Sequence, residues 1–308
     1  MDIYRQITDS LLEIPCMDSW NEIADLFRRV ASQKPRHWLL PLHACEAVGG
    51  DSGQALSAVL AIACFHLSII LVDDMLDSDP RGEYHRLDAP AAANMACALQ
   101  AAGLEAVART KAESALRFTA LTCLNEMVLA TTLGQYWDVQ IPADEETYWR
   151  VVRTKSAPFF GAALQVGALM GGATPEAAER LKELGRLYGE MIQVHDDLND
   201  ALAVPANPDW LSGRKPLPIL YAQSVPHPER EHFVELCKNI TVPGALEQAQ
   251  EILIRCGAVS YCVDVLLRQH EAARGILDSA SLVRPEPMES LIEEVIAPVN
   301  RLFETMGS

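Results

Sequence analysis

Apolar residues recur three and four positions apart through most of the chain, the spacing of an amphipathic α-helix. Helix-favouring residues dominate these stretches, above all Ala, Leu, Glu, Arg and Met, and the apolar–polar alternation of β-strands is scarce. The pattern predicts an all-α protein, a bundle of about a dozen helices. The predicted helices span 2–13, 18–31, 36–48, 52–77, 90–107, 109–139, 145–171, 175–202, 214–223, 229–239, 244–256, 258–281 and 287–305.

Several predicted helix ends carry local signals. Thr174 precedes Pro175, the order expected for an N-cap followed by a first-turn proline. Paired glycines at 49–50 and 171–172 mark the ends of two helices. Because no linker, low-complexity stretch or fixed-period repeat separates the helices, we predict a single domain over residues 1–308.

The segment Ala55–Val72 is apolar over a length that would suffice to cross a membrane. It runs directly into Asp73 and Asp74, and it lacks the basic and aromatic anchors that flank membrane spans. We therefore predict no transmembrane segment here, but a central helix that is buried on all sides.

Charge and cysteine content narrow the possible functions. The formal net charge of −17 makes binding to nucleic acid or to an anionic membrane through the overall field a poor hypothesis. The chain does not begin with a basic region followed by an apolar one, so we expect no secretory signal. Eight scattered cysteines form no CxxC pair, which favours buried free thiols in a reducing, cytoplasmic environment.

Two sets of aspartates share the spacing DDxxD, and each follows a largely apolar helix. A single set of this kind is typical of a solvated helix end, but two identical sets favour a shared function. Carboxylates that face each other need cations, and oxygen ligands without Cys or paired His favour Mg²⁺ or Mn²⁺ over zinc. Because Mg²⁺ is commonly completed by substrate phosphates, the sets predict a diphosphate ligand. The first set is Asp73, Asp74 and Asp77, and the second is Asp196, Asp197 and Asp200.

Basic side chains suited to binding a diphosphate flank these sets. Each alone is typical of a solvated surface charge, but together they lie beside the acidic motifs and apolar segments, which favours a binding role. They are Lys34, Arg36, Arg81, Lys155, Arg214 and Lys215.

An apolar cavity beside the first set would hold a hydrocarbon tail, and Phe65, Ser68 and Ile69 are its predicted lining. Metal ions and basic side chains would stabilise the charge that develops on a departing diphosphate. A dry cavity would protect the resulting allylic cation from water.

Taken in order, six segments between about residues 34 and 222 resemble the motifs of the trans-isoprenyl diphosphate synthases, the polyprenyl synthetase family. KPRHWLLPLHACEAVGGD resembles the family's GKRLRP…ACEALGGD segment, and HLSIILVDDMLD resembles its first aspartate-rich motif. GQYWDV resembles GQxxDL, and YWRVVRTKSAPFF resembles the Y…KTxxLF helix. QVHDDLND resembles the second motif, QxxDDxxD, and GRKPLPILYA resembles GKxTLPLxYA.

The resemblance implies the isoprenoid synthase fold, helices around a central apolar cavity, and a homodimer. It implies that both aspartate sets bind about three Mg²⁺ ions, or Mn²⁺ in their place, together with an allylic prenyl diphosphate. By the same resemblance Lys155, Gln193 and Arg214 would bind that diphosphate. Lys34 and His66 would bind isopentenyl diphosphate, the acceptor. The residues expected to act in catalysis are Asp73, Asp74, Asp77, Lys155 and Asp196.

The chain departs from the family's motifs mainly where the acceptor would bind. His37 stands where GKxxR has its arginine, so Arg36 or His37 would take that role. The RRG triplet after the first set is reduced to PRG, which places Arg81 two positions early. In GKxT, Arg214 replaces the lysine and Pro216 the threonine. The allylic half is thus intact, whereas the phosphate pocket of the acceptor is weakened.

Three functions are compatible with these residues. The first is a Mg²⁺-dependent prenyltransferase that condenses an allylic diphosphate with isopentenyl diphosphate, trans and head to tail. The second is a class I terpene cyclase, or a prenyltransferase with another acceptor, on the same scaffold. The third, a regulatory subunit, is disfavoured because both acidic sets are present.

Product length is a further prediction from the same segment. Small Ser68 would let a growing tail pass, and Phe65 would block it one turn deeper, which predicts a product of about twenty to twenty-five carbons. The alternative is that Phe65 is a core residue without influence on length.

Overall fold

A computed structural model describes residues 2–140 and 144–306. These residues form α-helices joined by loops and one 3-10 helix, without a β-strand among them, which confirms the predicted all-α class. The elements are α1 (Ile3–Leu12), α2 (Asn21–Ser32), the 3-10 helix (Arg36–Leu39), α3 (Leu40–Ala47), α4 (Ser52–Asp77), α5 (Tyr84–Leu87), α6 (Ala89–Ala108), α7 (Ser114–Asp138), α8 (Glu145–Lys155), α9 (Ala157–Met170), α10 (Pro175–Leu202), α11 (Pro208–Ser212), α12 (Leu217–Ser224), α13 (Arg230–Lys238), α14 (Ala245–Arg255), α15 (Ala258–Ser279) and α16 (Glu286–Met306).

The chain groups into two compact units, each built from three separate segments. The first unit comprises Met1–Thr131, Pro158–Gly185 and Ile276–Glu289. The second comprises Thr132–Ala157, Arg186–Gly275 and Ser290–Ser308. The single domain over the whole chain stays a prediction.

Helix α4 is the central element of the first unit. It starts with a capping box, in which the Asp51 carboxylate accepts bonds from the backbone of Gly53 and Gln54, while the Gln54 side chain accepts one from the Asp51 backbone. The helix packs against α1, α3 and α6. Among the described residues, α4 is the one helix with the length and hydropathy of a membrane span, and 67% of its most apolar window is buried within the protein. This burial favours the interpretation as a core helix.

The second unit has an apolar core of its own around α12, α13 and α14. Trp210 and Phe233 meet there with ring centroids 6.3 Å apart, and Ile252 and Leu253 are fully buried beside them. This core lies next to the C-terminal part of α10, since Ala201 belongs to the same cluster. The packing therefore supports the helix that carries the second aspartate set.

Some helix boundaries differ from the predicted ones for identifiable reasons. The predicted helix 145–171 is interrupted at Ser156, because Pro158 has no backbone N–H to continue α8 and lies in the first turn of α9, although the apolar pattern continues. The predicted helix 36–48 begins as a tighter 3-10 turn next to Pro35. The short helices α5 and α11 were not predicted, because one turn is too short to show a helical period.

Candidate active site

The first aspartate set lies in the last turns of α4. Asp73, Asp74 and Asp77 are partly buried there. The chain then turns back over Asp74, because the backbone N–H of Glu83 donates to Asp74 Oδ2 at 3.3 Å. A Cβ added at Gly82 would lie 2.9 Å from Asp74 Cβ, so a glycine is required for this close approach. The loop therefore holds Asp74 in a fixed position.

The charge of Asp74 is only partly compensated within the protein. Burial raises the pKa of its carboxyl group, and the nearby Asp79 and Asp73 act in the same direction, while the bond from Glu83 lowers it. A divalent cation beside the set would favour the ionised form. Oxygen ligands that need a cation in this way fit a hard metal ion.

Arg81, a predicted substrate-binding residue, pairs with a neighbouring acid. Its Nε lies 3.1 Å from Asp79 Oδ1 and its Nη2 lies 2.9 Å from Asp79 Oδ2. These bonds are the main reason that the pKa of Asp79 is lowered. The Arg81 side chain is 83% exposed, so binding of a substrate would require it to leave or share this ion pair.

The three carboxylates of the second set, on α10, differ in their exposure to solvent. Asp196 is exposed, and Asp200 is partly buried and accepts a bond of 2.6 Å from Asn207 Nδ2. Asp197 is buried, with 6% of its surface accessible. Positions four apart share a helix face, so Asp196 and Asp200 form an outward pair while Asp197 turns inward.

Asp197 accepts three hydrogen bonds from inside the second unit. Its Oδ2 accepts from the Tyr148 hydroxyl and from the Leu217 backbone, each at 2.7 Å. Its Oδ1 accepts from Gln193 Nε2 at 2.9 Å. Burial raises the pKa of Asp197 to about 6 although these three bonds oppose the shift. Asp197 thus ties α8 and α12 to α10, and its role as a metal ligand stays a prediction.

Asp138, at the end of α7, holds two of the predicted diphosphate-binding cations. Lys155 Nζ lies 2.6 Å from Asp138 Oδ2, and Arg214 Nη1 lies 3.7 Å from the same oxygen. All three side chains are largely shielded, with exposed fractions between 19% and 27%. The shared carboxylate therefore fixes both cations at one place.

The predicted phosphate-binding residues of the second unit line one cavity of about 100 Å³. Gln193 is oriented within it, because its Oε1 accepts from the Ser156 hydroxyl at 2.9 Å while its Nε2 donates to Asp197. Predicted residues that line this cavity are Lys155, Gln193, Asp197, Arg214 and Lys215.

A glycine permits the close approach of α7 and α8 at Lys155. A Cβ added at Gly134 would lie 2.3 Å from the Lys155 backbone nitrogen and 2.5 Å from the Thr154 carbonyl carbon. Since these are backbone atoms, no side-chain rearrangement would relieve the clash. The glycine of the GQYWDV segment therefore determines where Lys155 lies.

The predicted acceptor residues lie on the first unit, near the 3-10 helix. Lys34 is exposed, has a left-handed φ of 53°, and lies with its Nζ 3.4 Å from Asp2 Oδ2. Arg36 is also exposed, whereas the His37 ring packs edge-on against Phe160 at 5.1 Å. Burial, and then the charge of Arg36, lower the pKa of His37. His37 therefore replaces the family's arginine with a group that is neutral at pH 7.

His66, the other predicted acceptor-binding residue, lies on α4 next to His37. Trp38 Nε1 donates to its Nδ1 at 3.1 Å, and the Phe159 ring lies 5.5 Å away. Burial, and then the neighbouring His37, lower the pKa of His66 to about 4. The imidazoles of His37 and His66 are thus both uncharged under physiological conditions.

The residues predicted to set product length lie at the contact of α4 with α6. Ser68 is 1% exposed, and its hydroxyl accepts a 3.0 Å bond from Gln100 Nε2. Phe65 is also 1% exposed and packs on Gly103, where an added Cβ would lie 2.9 Å from the ring. Ile69 is partly buried. Ser68 is therefore not an open position, because the Gln100 side chain already contacts it.

Metal binding by protein groups alone is not apparent in the part of the chain that the structure describes. Within it, no three or more His, Cys, Asp or Glu side chains are grouped so that they could hold a metal ion. Mg²⁺ typically takes only one or two carboxylates and completes its shell with water and phosphate oxygens. The aspartates present fit that mode of binding, in which the substrate supplies part of the shell.

Comparison with known proteins identifies the family. The sequence model of the polyprenyl synthetase family matches residues 30–253. The chain belongs to the polyprenyl synthetase family. It is 30% identical over 255 residues to a short chain isoprenyl diphosphate synthase of Methanothermobacter thermautotrophicus, an alignment that covers 78% of each chain. This polyprenyl synthetase is therefore an enzyme, a trans-prenyltransferase, as its motifs predict.

Solved structures confirm the isoprenoid synthase fold. A geranylgeranyl pyrophosphate synthetase from Pyrococcus horikoshii superposes with a TM-score of 0.82 at 22% identity, covering 95% of each chain. A geranylgeranyl pyrophosphate synthase from Corynebacterium glutamicum, complexed with calcium and isoprenyl diphosphate, superposes with a TM-score of 0.77 at 21% identity, covering 97% of this chain and 93% of that one. The fold of this polyprenyl synthetase is thus that of metal-dependent prenyltransferases.

The structure adds site residues that were absent from the sequence prediction. Asp138 lies in the GQYWDV segment, but the motif does not specify its pairing with Lys155. Tyr148 and Ser156 also lie in a recognised segment, the helix before Phe159. Gln100 carried no signal, because a single polar residue on an apolar helix is common.

Proposed function

We propose that this prenyltransferase condenses an allylic prenyl diphosphate with isopentenyl diphosphate, trans and head to tail, in a Mg²⁺-dependent reaction. The observation that supports this most directly is the shared cavity lined by Lys155, Gln193 and Arg214, beside the helix of the second aspartate set. Two cations and an oriented amide on one small cavity suit the oxygens of a diphosphate.

The aspartates of the two sets would hold Mg²⁺, and the chemistry that this ion would supply is neutralisation of the charge on the departing diphosphate. Lys155 and Arg214 would bind oxygens of the same group, and Asp138 keeps both cations in position before substrate arrives. As the bond from carbon 1 to oxygen breaks, the acceptor's double bond would attack carbon 1. The released diphosphate would then accept the proton that the condensed product loses.

The test is incubation of the protein with Mg²⁺, isopentenyl diphosphate and allylic diphosphates of increasing length, with products identified by mass spectrometry. Elongated products from at least one allylic primer are expected, and chelation of the metal should abolish them. Lys155→Ala should lower kcat/KM by about a hundredfold, since it removes a charge-assisted contact to the leaving group. Lys182→Ala is the matched control, a partly shielded lysine paired with Glu126 and Glu179. No elongation from any primer would overturn the proposal.

The second candidate is a class I terpene cyclase, or a prenyltransferase with a different acceptor. It is favoured by the neutral His37 in place of an arginine and by the pairing of Arg81 with Asp79. The discriminating result would be a hydrocarbon or terpene alcohol formed from one allylic diphosphate alone. That product, without elongation, would replace the leading proposal.

We further propose a product of twenty to twenty-five carbons. The relative from Methanothermobacter is named as a short chain isoprenyl diphosphate synthase, which supports a short product over a long one. Phe65→Ala should lengthen the product by at least one isoprene unit if the ring limits the tail. If the ring is only part of the core, the product is unchanged and the free energy of unfolding falls by about 3–5 kcal/mol. Measuring product length and unfolding on the same variant separates the two.

The proposed assembly is a homodimer in the cytoplasm. Phe118 and Leu129 lie three helical turns apart on one face of α7 and are 72% and 65% exposed. We propose that these two side chains pack against a second copy of the chain, which would remove their apolar surface from water.

A further inference from the structure

Trp38 and His66 form a directed hydrogen bond within the first unit. The Trp38 indole Nε1 lies 3.1 Å from His66 Nδ1, and the two rings meet at 85°. An indole N–H can donate a hydrogen bond but cannot accept one. His66 Nδ1 must therefore accept, which means that it carries no proton while the bond exists.

This bond selects one form of the imidazole. A neutral ring without a proton on Nδ1 carries it on Nε2, which makes Nε2 a hydrogen-bond donor on the ring edge away from Trp38. A doubly protonated ring would lose the bond, because it has no lone pair left to accept with. The partner of Nδ1 therefore determines what Nε2 can do.

The indole itself is held firmly. Trp38 has no exposed surface, and its ring lies 5.1 Å from Phe27 and 6.3 Å from Tyr4. The Tyr4 hydroxyl in turn donates to the Pro35 carbonyl at 3.1 Å, next to the 3-10 helix. Helices α1 and α2 thus hold the indole in the orientation that the bond to His66 requires.

We propose that Trp38 is a positioning residue, which holds His66 as its Nε2–H form so that this group can donate to an oxygen of the acceptor's diphosphate. The inference rests on the proposed function, since it takes isopentenyl diphosphate as the acceptor. The bond explains how a neutral His66 can bind an anionic ligand, because the ring acts as a fixed hydrogen-bond donor and not as a positive charge. Trp38 stands where the family's GKRLRP segment has proline, so this arrangement depends on this chain's own sequence.

The key variant is Trp38→Phe, which keeps an aromatic ring against Phe27 and removes the N–H. We expect KM for isopentenyl diphosphate to rise roughly tenfold, while kcat and KM for the allylic substrate change less than about twofold. Trp20→Phe is the matched control, because Trp20 packs against the same core. An unchanged KM in Trp38→Phe would overturn the proposal.

Two further measurements exclude a merely structural effect. Nitrogen-15 NMR of the ring should show a protonated Nε2 and an unprotonated Nδ1 in the wild type, and a mixture of both forms in Trp38→Phe. In a double-mutant cycle, Trp38→Phe should add almost nothing to the loss caused by His66→Ala, since the tryptophan acts through the histidine. Fully additive losses, or a wild-type ring protonated on Nδ1, would overturn the proposal.

Failure of the proposed prenyltransferase function and failure of the proposed role of Trp38 would give different results. If the wild type elongates no primer, the acceptor role falls with the proposed function, whatever the NMR spectrum shows. If the wild type elongates and the ring is protonated on Nδ1, the proposed function stands and the role of Trp38 is wrong.

Discussion

Asp196 and Asp197 are adjacent on α10, and burial raises the pKa of both carboxyl groups, yet Asp197 lies much deeper in the protein. Asp196 is exposed, whereas Asp197 is buried and accepts bonds from Tyr148, Gln193 and Leu217. A buried acceptor with three donors is a structural anchor, since its loss would leave those donors without a partner. The two carboxylates therefore differ in what each contributes.

Replacement by alanine should separate these contributions. Asp197→Ala should lower the free energy of unfolding by about 3 kcal/mol or more, because it leaves the buried Tyr148 hydroxyl and Leu217 N–H unsatisfied. Asp196→Ala should leave unfolding nearly unchanged and reduce activity with Mg²⁺. Chemical denaturation and steady-state assays on both variants test this. Equal stability of the two variants would contradict it.

His66 should make the protein sensitive to acid. Its pKa is about 4 in the folded protein, against about 6.5 for an ordinary histidine in the unfolded chain. Between these values the unfolded chain binds more protons, so stability falls as the pH is lowered from 6.5 towards 4. The loss from this residue is at most about 3–4 kcal/mol, since each pKa unit corresponds to about 1.36 kcal/mol.

His66→Gln should therefore lose less stability than the wild type between pH 7 and pH 4.5, measured by urea unfolding. Asp197, whose raised pKa acts in the opposite direction, is present in both proteins and cancels in the comparison. An identical loss in both proteins would show that His66 does not carry this acid sensitivity.

At the level of helices, the first residues of α4 and α10 could be predicted from the sequence, whereas the contacts that α7 makes could not. Helix α4 starts at a capping box and α10 at a threonine and proline, so local chemistry defines both starts. The break at Ser156 is signalled by Pro158 alone, which cannot donate the backbone bond that would continue α8, because the apolar pattern runs through the break. The pairing of Asp138 with Lys155 depends on how two helices pack, which a motif does not specify.

The packing of α7 on α8 gives a prediction at this scale. Gly134→Ala should destabilise the protein by about 1–3 kcal/mol and shift Lys155, because the added methyl group meets backbone atoms. Gly275→Ala is the control, a helical glycine with open space where an added Cβ would lie. It should be neutral or stabilising by up to about 1 kcal/mol.

Thermal unfolding and the KM for the allylic diphosphate measure both effects on the two glycine variants. If Gly134→Ala behaves like Gly275→Ala, then α7 and α8 do not depend on this close approach.

The whole molecule is strongly acidic, with 42 Asp and Glu against 25 Lys and Arg, although its proposed substrates are anions. The overall field therefore attracts divalent cations and opposes free diphosphates. Local cations counter this field where they are fixed, as Lys155 and Arg214 are by Asp138. Such placement of a few cations cannot be predicted from net charge, which is why composition makes nucleic acid a poor hypothesis but does not predict diphosphate as a ligand.

Assembly is the last property that belongs to the whole molecule. Exposed Phe118 and Leu129 on one face of α7 would cost little in a monomer, but burial of both against a second copy would contribute about 1.5–3 kcal/mol each. The double variant Phe118→Asp with Leu129→Asp should therefore convert a dimer into a folded monomer of half the mass, measured by light scattering. Ile254→Asp is the control, since this side chain is 62% exposed on α14 and lies outside the proposed face. It should leave the dimer intact. A wild type that is monomeric at micromolar concentration, or a dimer that survives the double substitution, would show that α7 does not form the interface.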